Sequence, residues 1–163
     1  LLMLSATITG AIISGFEEAL SELTILVTFF PLLMGTGGNA GSQASTLIIR
    51  GLALDEIQTG DVLKVLAREL GIGFLCGLAL GAVNFIRVYL TSGRDVMLSL
   101  TVTLSLIATV LLAKCVGCLL PLGAKKLKLD PAIMAAPLIT TIVDAASLMV
   151  FFTIAKILLQ HSF

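Results

Sequence analysis

The sequence has little charge and few aromatic or metal-binding side chains. Of its 163 residues only 12% are charged, one is histidine, none is tryptophan, and the formal net charge is zero. A soluble domain carries about twice that charged fraction, so this composition argues against one. The zero net charge gives no sign of a nucleic-acid partner. The 58% of hydrophobic residues instead indicates an integral protein of the lipid bilayer.

Cysteine is also scarce, and its placement does not indicate a metal centre. Two of the three cysteines form Cys115-Val-Gly-Cys118, a spacing that is also found in zinc and redox sites. This pair lies in an apolar stretch without a histidine or a second cysteine pair. We therefore interpret both cysteines as packing residues.

Five apolar stretches predict an all-α membrane protein, a bundle of five transmembrane helices in one domain over residues 1–163. The expected helices cover about residues 1–15, 20–52, 62–90, 96–122 and 131–159. Roughly 20 apolar residues at about 1.5 Å each cross a bilayer. The chain starts inside the first stretch without an initiator methionine. We therefore expect either a trimmed piece of a longer protein or a minimal natural one.

The basic residues predict the orientation in the cell membrane. One side carries Arg50, Lys64, Arg68, Lys125, Lys126 and Lys128; the other carries Arg87, Arg94 and Lys156 together with the acidic Glu17, Glu18 and Glu22. Cytoplasmic loops are enriched in Lys and Arg. This asymmetry predicts a cytoplasmic N-terminus and, after five crossings, a C-terminus outside.

Asp144 is the most informative residue, because it lies in an otherwise uncharged run from Ile133 to Ala155. A carboxylate at that depth costs about 3 kcal/mol even on permissive scales, so it is expected to face protein or water and to be functional. We predict that it holds a passing cation. The alternative is a structural ion pair with Lys114, the only basic residue deep in the fourth stretch.

Other polar groups of the fifth stretch extend this candidate site. Thr140, Asp144 and Ser147 are spaced i, i+4 and i+7 and are expected to share one helical face. Pro137 removes a helical hydrogen bond and is expected to loosen the helix. Asp130 precedes Pro131, where helix capping and ion contact are both open interpretations.

A glycine-rich segment in the second stretch is the other half of the candidate site. Residues 35–41 contain four glycines, Gly35, Gly37, Gly38 and Gly41. Glycines in a membrane helix permit close helix contact, or opened backbone beside a water-filled cavity. Asn39 and Gln43 add neutral polar groups, so we expect this segment to line a passage. Small-residue helix packing is the alternative.

These surroundings favour a hard cation. Oxygen ligands without histidine suit Mg²⁺ better than Zn²⁺ or Cu²⁺. One carboxylate per chain does not strip Mg²⁺ of its waters, because the ion dehydrates reluctantly. We therefore expect a largely hydrated ion. A second Asp144 from a symmetry-related chain would double the charge and requires a two-fold axis through the pore.

Three segments together resemble a known family. The sequence Gly-Thr-Gly-Gly-Asn-Ala-Gly-Ser-Gln at 35–43, Asp-Pro-Ala at 130–132 and Thr-Thr-Ile-Val-Asp at 140–144 resemble the transmembrane domain of the MgtE magnesium channels, to which the animal solute-carrier magnesium transporters are related. The resemblance covers essentially the whole chain. It implies a homodimer with five crossings per subunit and a Mg²⁺ pore on the two-fold axis, lined by the second and fifth helices.

The resemblance also implies roles for individual residues. Asp144 matches the central ion-binding aspartate, and Asp130 matches an acidic residue near the cytoplasmic mouth. Asn39 matches a pore-lining asparagine, and Gly35 a glycine at which the second helix bends. Ala136 departs from the family, many members of which have Asn there. The family's cytoplasmic regulatory modules have no counterpart in these residues.

Three functional classes follow from these features. The leading one is a channel that conducts largely hydrated Mg²⁺ down its electrochemical gradient. A secondary transporter of divalent cations coupled to Na⁺ or H⁺ also uses broken helices and a midplane carboxylate. An intramembrane aspartyl protease would need Asp130 and Asp144 in one dyad. Fourteen residues of continuous helix separate them by about 21 Å, so we expect no enzymatic activity.

Overall fold

The computed structural model describes residues 2–16, 24–134 and 136–159. Within these ranges the secondary structure is entirely helical. The five α-helices of the described residues are α1 (Leu2–Gly15), α2 (Phe30–Ala53), α3 (Val62–Thr91), α4 (Val96–Lys126) and α5 (Ala136–Leu159). Short 3-10 helices precede α2, at Thr24–Phe29, and α5, at Pro131–Met134. The all-α prediction is therefore confirmed.

The second and fifth helices begin later than the sequence pattern suggested. Pro31 lies in the first turn of α2 and Pro137 in the first turn of α5. A proline is tolerated there, because the first N–H groups of a helix have no helical partner. Pro137 thus lies at the start of α5. The expectation that it loosens the interior of the helix is therefore wrong. Glu17, Glu18 and Glu22 lie outside the described residues.

Close contacts at glycines give the relative directions of the helices. A Cβ atom at Gly37 would meet Ser147, whereas one at Gly41 would meet Ile139, so α2 and α5 are antiparallel. Gly73 of α3 faces Lys114 and Gly81 faces Thr103, so α3 and α4 are antiparallel as well.

The direction of α2 relative to α4 follows in the same way. Gly37 faces Thr109, and Gly41 faces the carbonyl group of Ala113, so α2 and α4 are parallel. Successive helices from α2 to α5 therefore alternate in direction. One end of the bundle then gathers the C-termini of α2 and α4 with the N-termini of α3 and α5. We call this the basic end, because it carries Arg50, Lys64, Arg68, Lys125, Lys126 and Lys128.

Three helices of the described chain are long and apolar enough to cross a membrane. They are α3, α4 and the Pro137–Leu159 part of α5. At 24 residues α2 is also long enough to cross, but its glycines and its Asn, Ser, Gln and Thr side chains lower its hydropathy.

Aromatic side chains fill the core near the end opposite the basic end. The rings of Phe16 and Phe152 stack with centroids 4.5 Å apart, and the Phe30 ring meets Phe151 and Phe152 edge-on at 6.1 and 5.6 Å. Val102 of α4 is fully buried in the same cluster. This cluster joins α1, α2, α4 and α5, so it fixes the two helices that carry the candidate site.

Candidate functional site

A shallow groove between α2 and α5 brings together residues from both halves of the predicted site. Its volume is about 180 Å³, and it is lined by Met34, Gly35, Gly38, Asn39, Thr140 and Asp144. The antiparallel crossing of α2 and α5 places these residues side by side, although about a hundred residues of chain separate them.

Gly38 sets the close approach of the two helices at the groove. A Cβ atom there would lie 3.2 Å from Cγ2 of Thr140 and 3.7 Å from Oδ1 of Asp144. The first distance is tighter than ordinary van der Waals contact, so any larger residue would displace Thr140 or narrow the groove. Gly35 has open space at the corresponding position, because no neighbouring atom of the described residues lies within 4 Å of where its Cβ atom would be.

Asp144 is half-buried and carries no ion pair with any described residue. Among the described residues, the ion pair that forms joins Lys114 Nζ to Glu69 Oε2 at 3.0 Å. Lys114 therefore has a carboxylate partner other than Asp144. A carboxylate without a cation partner beside an open groove favours the binding of an external cation.

The neighbouring polar groups offer oxygen atoms toward the same space. Thr140 is half-buried, and its Oγ1 donates to the carbonyl oxygen of Pro137 at 3.1 Å, which leaves the lone pairs of the hydroxyl available to accept. Asn39 is exposed at the groove. Gln43, one helical turn beyond Asn39, is exposed as well but does not line the groove. The oxygen atoms of Thr140 and Asn39 are suited to accept hydrogen bonds from the waters around a hydrated ion.

Gly37 and Ser147 lie on the inner side of this helix pair, outside the groove. Gly37 faces Thr109 and Val143, and the hydroxyl of Ser147 is fully buried and donates to the Val143 carbonyl oxygen at 2.6 Å. Ser147 thus does not share the accessible face with Thr140 and Asp144, because α2 covers it at Gly37.

Asp130 acts as a local cap in the structure. It is exposed, and its Oδ1 accepts a hydrogen bond from the backbone N–H of Ala132 at 2.9 Å. This bond stabilises the start of the 3-10 helix at Pro131–Met134. The predicted contact of Asp130 with an ion stays a prediction, drawn from its position before Pro131 and from the family resemblance.

The sequence patterns missed the role of Glu69. This residue is 3% exposed in α3 and partners Lys114 of α4, 45 positions away. An available signal was Lys114 itself, because a basic residue inside an apolar stretch needs a partner. The patterns did not distinguish Glu69 from Asp144 as that partner, since the choice depends on how α3, α4 and α5 pack.

The helices define a class of protein, a helical protein with segments long and apolar enough to cross a membrane. Its groove places the carboxylate of Asp144 beside Thr140 and Asn39. The chain belongs to the MgtE family, described as divalent cation transporters, whose pattern matches residues 30–154. The resemblance seen in the three sequence motifs is thereby confirmed.

Curated relatives agree with this assignment. The chain is 38% identical over 160 residues to the magnesium transporter MgtE of Thermus thermophilus, and the match covers 98% of this chain and 35% of that protein. It is 36% identical to MgtE of Bacillus subtilis over 95% of this chain and 34% of the relative. The MgtE of Enterococcus faecalis is 30% identical over 94% of this chain. The chain thus spans about a third of the length of these relatives.

Proposed function

We propose that this chain forms the membrane part of a channel that conducts largely hydrated Mg²⁺ down its electrochemical gradient. The observation that carries the proposal is the carboxylate of Asp144, which lies beside the open groove without a cationic partner among the described residues. The names of the relatives support Mg²⁺ as the transported ion.

A second copy of the chain completes the pore in this proposal. One carboxylate and a shallow groove bind a divalent ion weakly, and two identical grooves facing each other across a two-fold axis give two carboxylates. The open side of the groove is compatible with this arrangement. Asn39 and Thr140 then accept hydrogen bonds from the waters of the ion, and Gly35 and Gly38 keep the passage wide.

Membrane potential supplies the driving force. A potential of 100 mV, inside negative, contributes about 2.3 kcal/mol per elementary charge and therefore roughly twice that for Mg²⁺. We place the basic end of the bundle in the cytoplasm, with the N-terminus inside and the C-terminus outside, because cytoplasmic segments are enriched in Lys and Arg.

Replacing the charge of Asp144 tests the site. We expect Asp144→Asn to lower Mg²⁺ flux into proteoliposomes roughly tenfold or more, because a unit charge about 4 Å from an ion contributes several kcal/mol at an effective dielectric near 20. Asp130→Asn is the matched control, since asparagine retains the capping oxygen, and it should lower the flux much less. Unchanged flux in Asp144→Asn would contradict the assignment.

The same vesicles distinguish a channel from a coupled transporter. A channel predicts Mg²⁺ flux that follows the Mg²⁺ gradient and the membrane potential, with no dependence on Na⁺ or H⁺ gradients. Flux that reverses when only the Na⁺ or H⁺ gradient is reversed would favour the coupled mechanism.

A further inference from the structure

A larger cavity at the basic end is separate from the groove of Asp144. It has a volume of about 530 Å³ and lies between the end of α2, the connection to α3 and the first two turns of α3. Its cationic side chains are Arg50, Lys64 and Arg68, and its apolar lining includes Leu47, Ile48 and Val65. The cavity therefore combines positive charge with an apolar surface.

The wall formed by the α2–α3 connection is well defined. The N–H groups of Glu56 and Ile57 donate to the Gly51 carbonyl oxygen at 2.9 and 3.1 Å. The Ile57 side chain packs on Gly51, where a Cβ atom would lie 2.5 Å from Cδ1 of Ile57. Asp55 adopts a left-handed backbone conformation with φ of 55° that turns the chain back toward α2. These backbone hydrogen bonds and the Ile57 side chain hold the connection against the end of α2 and so preform the cavity.

The cavity lies at the depth of the lipid headgroups. In α2 the residues from Phe30 to Ile49 are uncharged, so Arg50 is the first charge at that end. In α3 the segment from Leu70 to Leu90 contains Arg87 as its one charge, and about 20 helical residues span the roughly 30 Å hydrocarbon layer. Lys64 and Arg68 therefore fall just outside that layer.

The charges around the cavity favour an anion over a cation. The carboxylate of Glu69 is already paired with Lys114, and Oδ2 of Asp61 accepts a hydrogen bond from the Gln58 N–H at 3.0 Å. Within the described ranges, no group of three or more His, Cys, Asp or Glu residues is arranged to hold a metal ion.

The three cations, by contrast, form no ion pair with any described residue. Arg50, Lys64 and Arg68 have no carboxylate within 4 Å among the described residues. With Glu69 paired to Lys114, they face two remaining carboxylates in the lining, those of Glu56 and Asp61. The net charge of the remaining cavity lining is therefore positive, and the cavity lies next to the membrane surface.

We propose that this cavity binds the phosphodiester headgroup of an anionic phospholipid. The phosphate is held by Arg50, Lys64 and Arg68, and the glycerol and first methylenes lie along Leu47 and Val65. Basic pockets between membrane helices at the cytoplasmic surface recognise anionic headgroups by this combination of charge and apolar contact. The proposal does not depend on which ion the protein conducts.

Native mass spectrometry of the purified protein in detergent tests the proposal. The probes are dioleoylphosphatidylglycerol and, as a neutral lipid with the same acyl chains, dioleoylphosphatidylcholine. We expect retention of the anionic lipid well above that of the neutral one. The double variant Lys64→Gln/Arg68→Gln should lower affinity for the anionic lipid roughly thirtyfold, about fivefold for each charge removed, with no change for the neutral lipid.

A matched variant separates the cavity from general surface charge. Lys125→Gln/Lys126→Gln removes the same charge at the same end of the bundle, but these residues do not line the cavity, so this variant should bind the anionic lipid like the wild type. Equal loss in both double variants, or no loss in the cavity variant, would overturn the proposal. If the cavity variant fails to fold, Arg50→Gln takes its place with an expected fivefold loss, and its failure to lower binding would overturn the proposal equally.

Inorganic phosphate distinguishes a lipid from a soluble anion. Because phosphate lacks the apolar part, we expect it to displace bound phosphatidylglycerol only weakly. Displacement by phosphate at concentrations similar to those of the lipid would show a soluble-anion site and would overturn the lipid assignment.

Discussion

Two carboxylates inside this bundle have different surroundings. Glu69 lies 3.0 Å from Lys114 Nζ and is almost fully buried, whereas Asp144 is half-buried at a groove and has no such partner in the described chain. A paired buried carboxylate stabilises the packing of two helices. In the proposed channel, the unpaired carboxylate beside the open groove is the one that meets an ion from outside.

The Glu69–Lys114 pair gives a stability prediction. Lys114→Met should lower the free energy of unfolding by about 3 kcal/mol or more, because it leaves the Glu69 charge buried without a partner. The double variant Glu69→Gln/Lys114→Met should regain most of that loss, since neither charge remains. Thermal unfolding in detergent measures both. A double variant less stable than Lys114→Met would contradict the ion-pair interpretation.

At the scale of the helices, the crossing of α2 and α4 depends on two glycines. A Cβ atom at Gly117 would collide with the carbonyl oxygen of Gly41 and lie 3.0 Å from Cβ of Ala44. A backbone atom cannot move aside as a flexible side chain can. This contact keeps α2 against α4 and so holds the Gly38 segment in its place beside α5.

Substituting alanine at two glycines of α4 tests this crossing. Gly117→Ala should lower the free energy of unfolding by about 1–3 kcal/mol, because α2 and α4 must separate. Gly123→Ala in the same helix meets no neighbouring atom of the described residues within 4 Å and should raise stability by roughly 0.5–1 kcal/mol through helix propensity. Thermal unfolding of both variants in one detergent is the measurement, and a shift of the same sign in both would contradict the packing argument.

The helical class of the protein was predictable from the sequence, whereas the residues at which α2 and α5 begin were not. Long apolar runs require helices in a membrane, because every backbone polar group must be satisfied internally. The run alone does not reveal where a 3-10 helix gives way to an α-helix. Pro31 and Pro137 lie in the first turns of the two α-helices, and hydrophobic periodicity does not indicate these starts.

At the scale of the whole molecule, the proposed dimer predicts which surfaces meet. In a variant without Cys76, Cys115 and Cys118, the substitution Asn39→Cys should allow a short bismaleimide to join the two chains, because the two grooves face each other in the proposed dimer. A cysteine at Leu75, which is 69% exposed on α3, should not be joined. Denaturing gel electrophoresis measures the dimer band. Cross-linking at Leu75 but not at Asn39 would contradict the proposed axis.

The sequence by itself determined the membrane class, the helical content, the family and the likeness of Asp144 to an ion-binding residue. These follow from local properties: hydropathy, run length and short motifs. Tertiary structure decided that Lys114 pairs with Glu69, that Ser147 lies inside the bundle, and that Asn39 and Thr140 line one groove with Asp144. Those outcomes depend on how closely helices that are far apart in the sequence approach one another in the folded bundle. The small volumes of Gly38, Gly41 and Gly117 permit that approach.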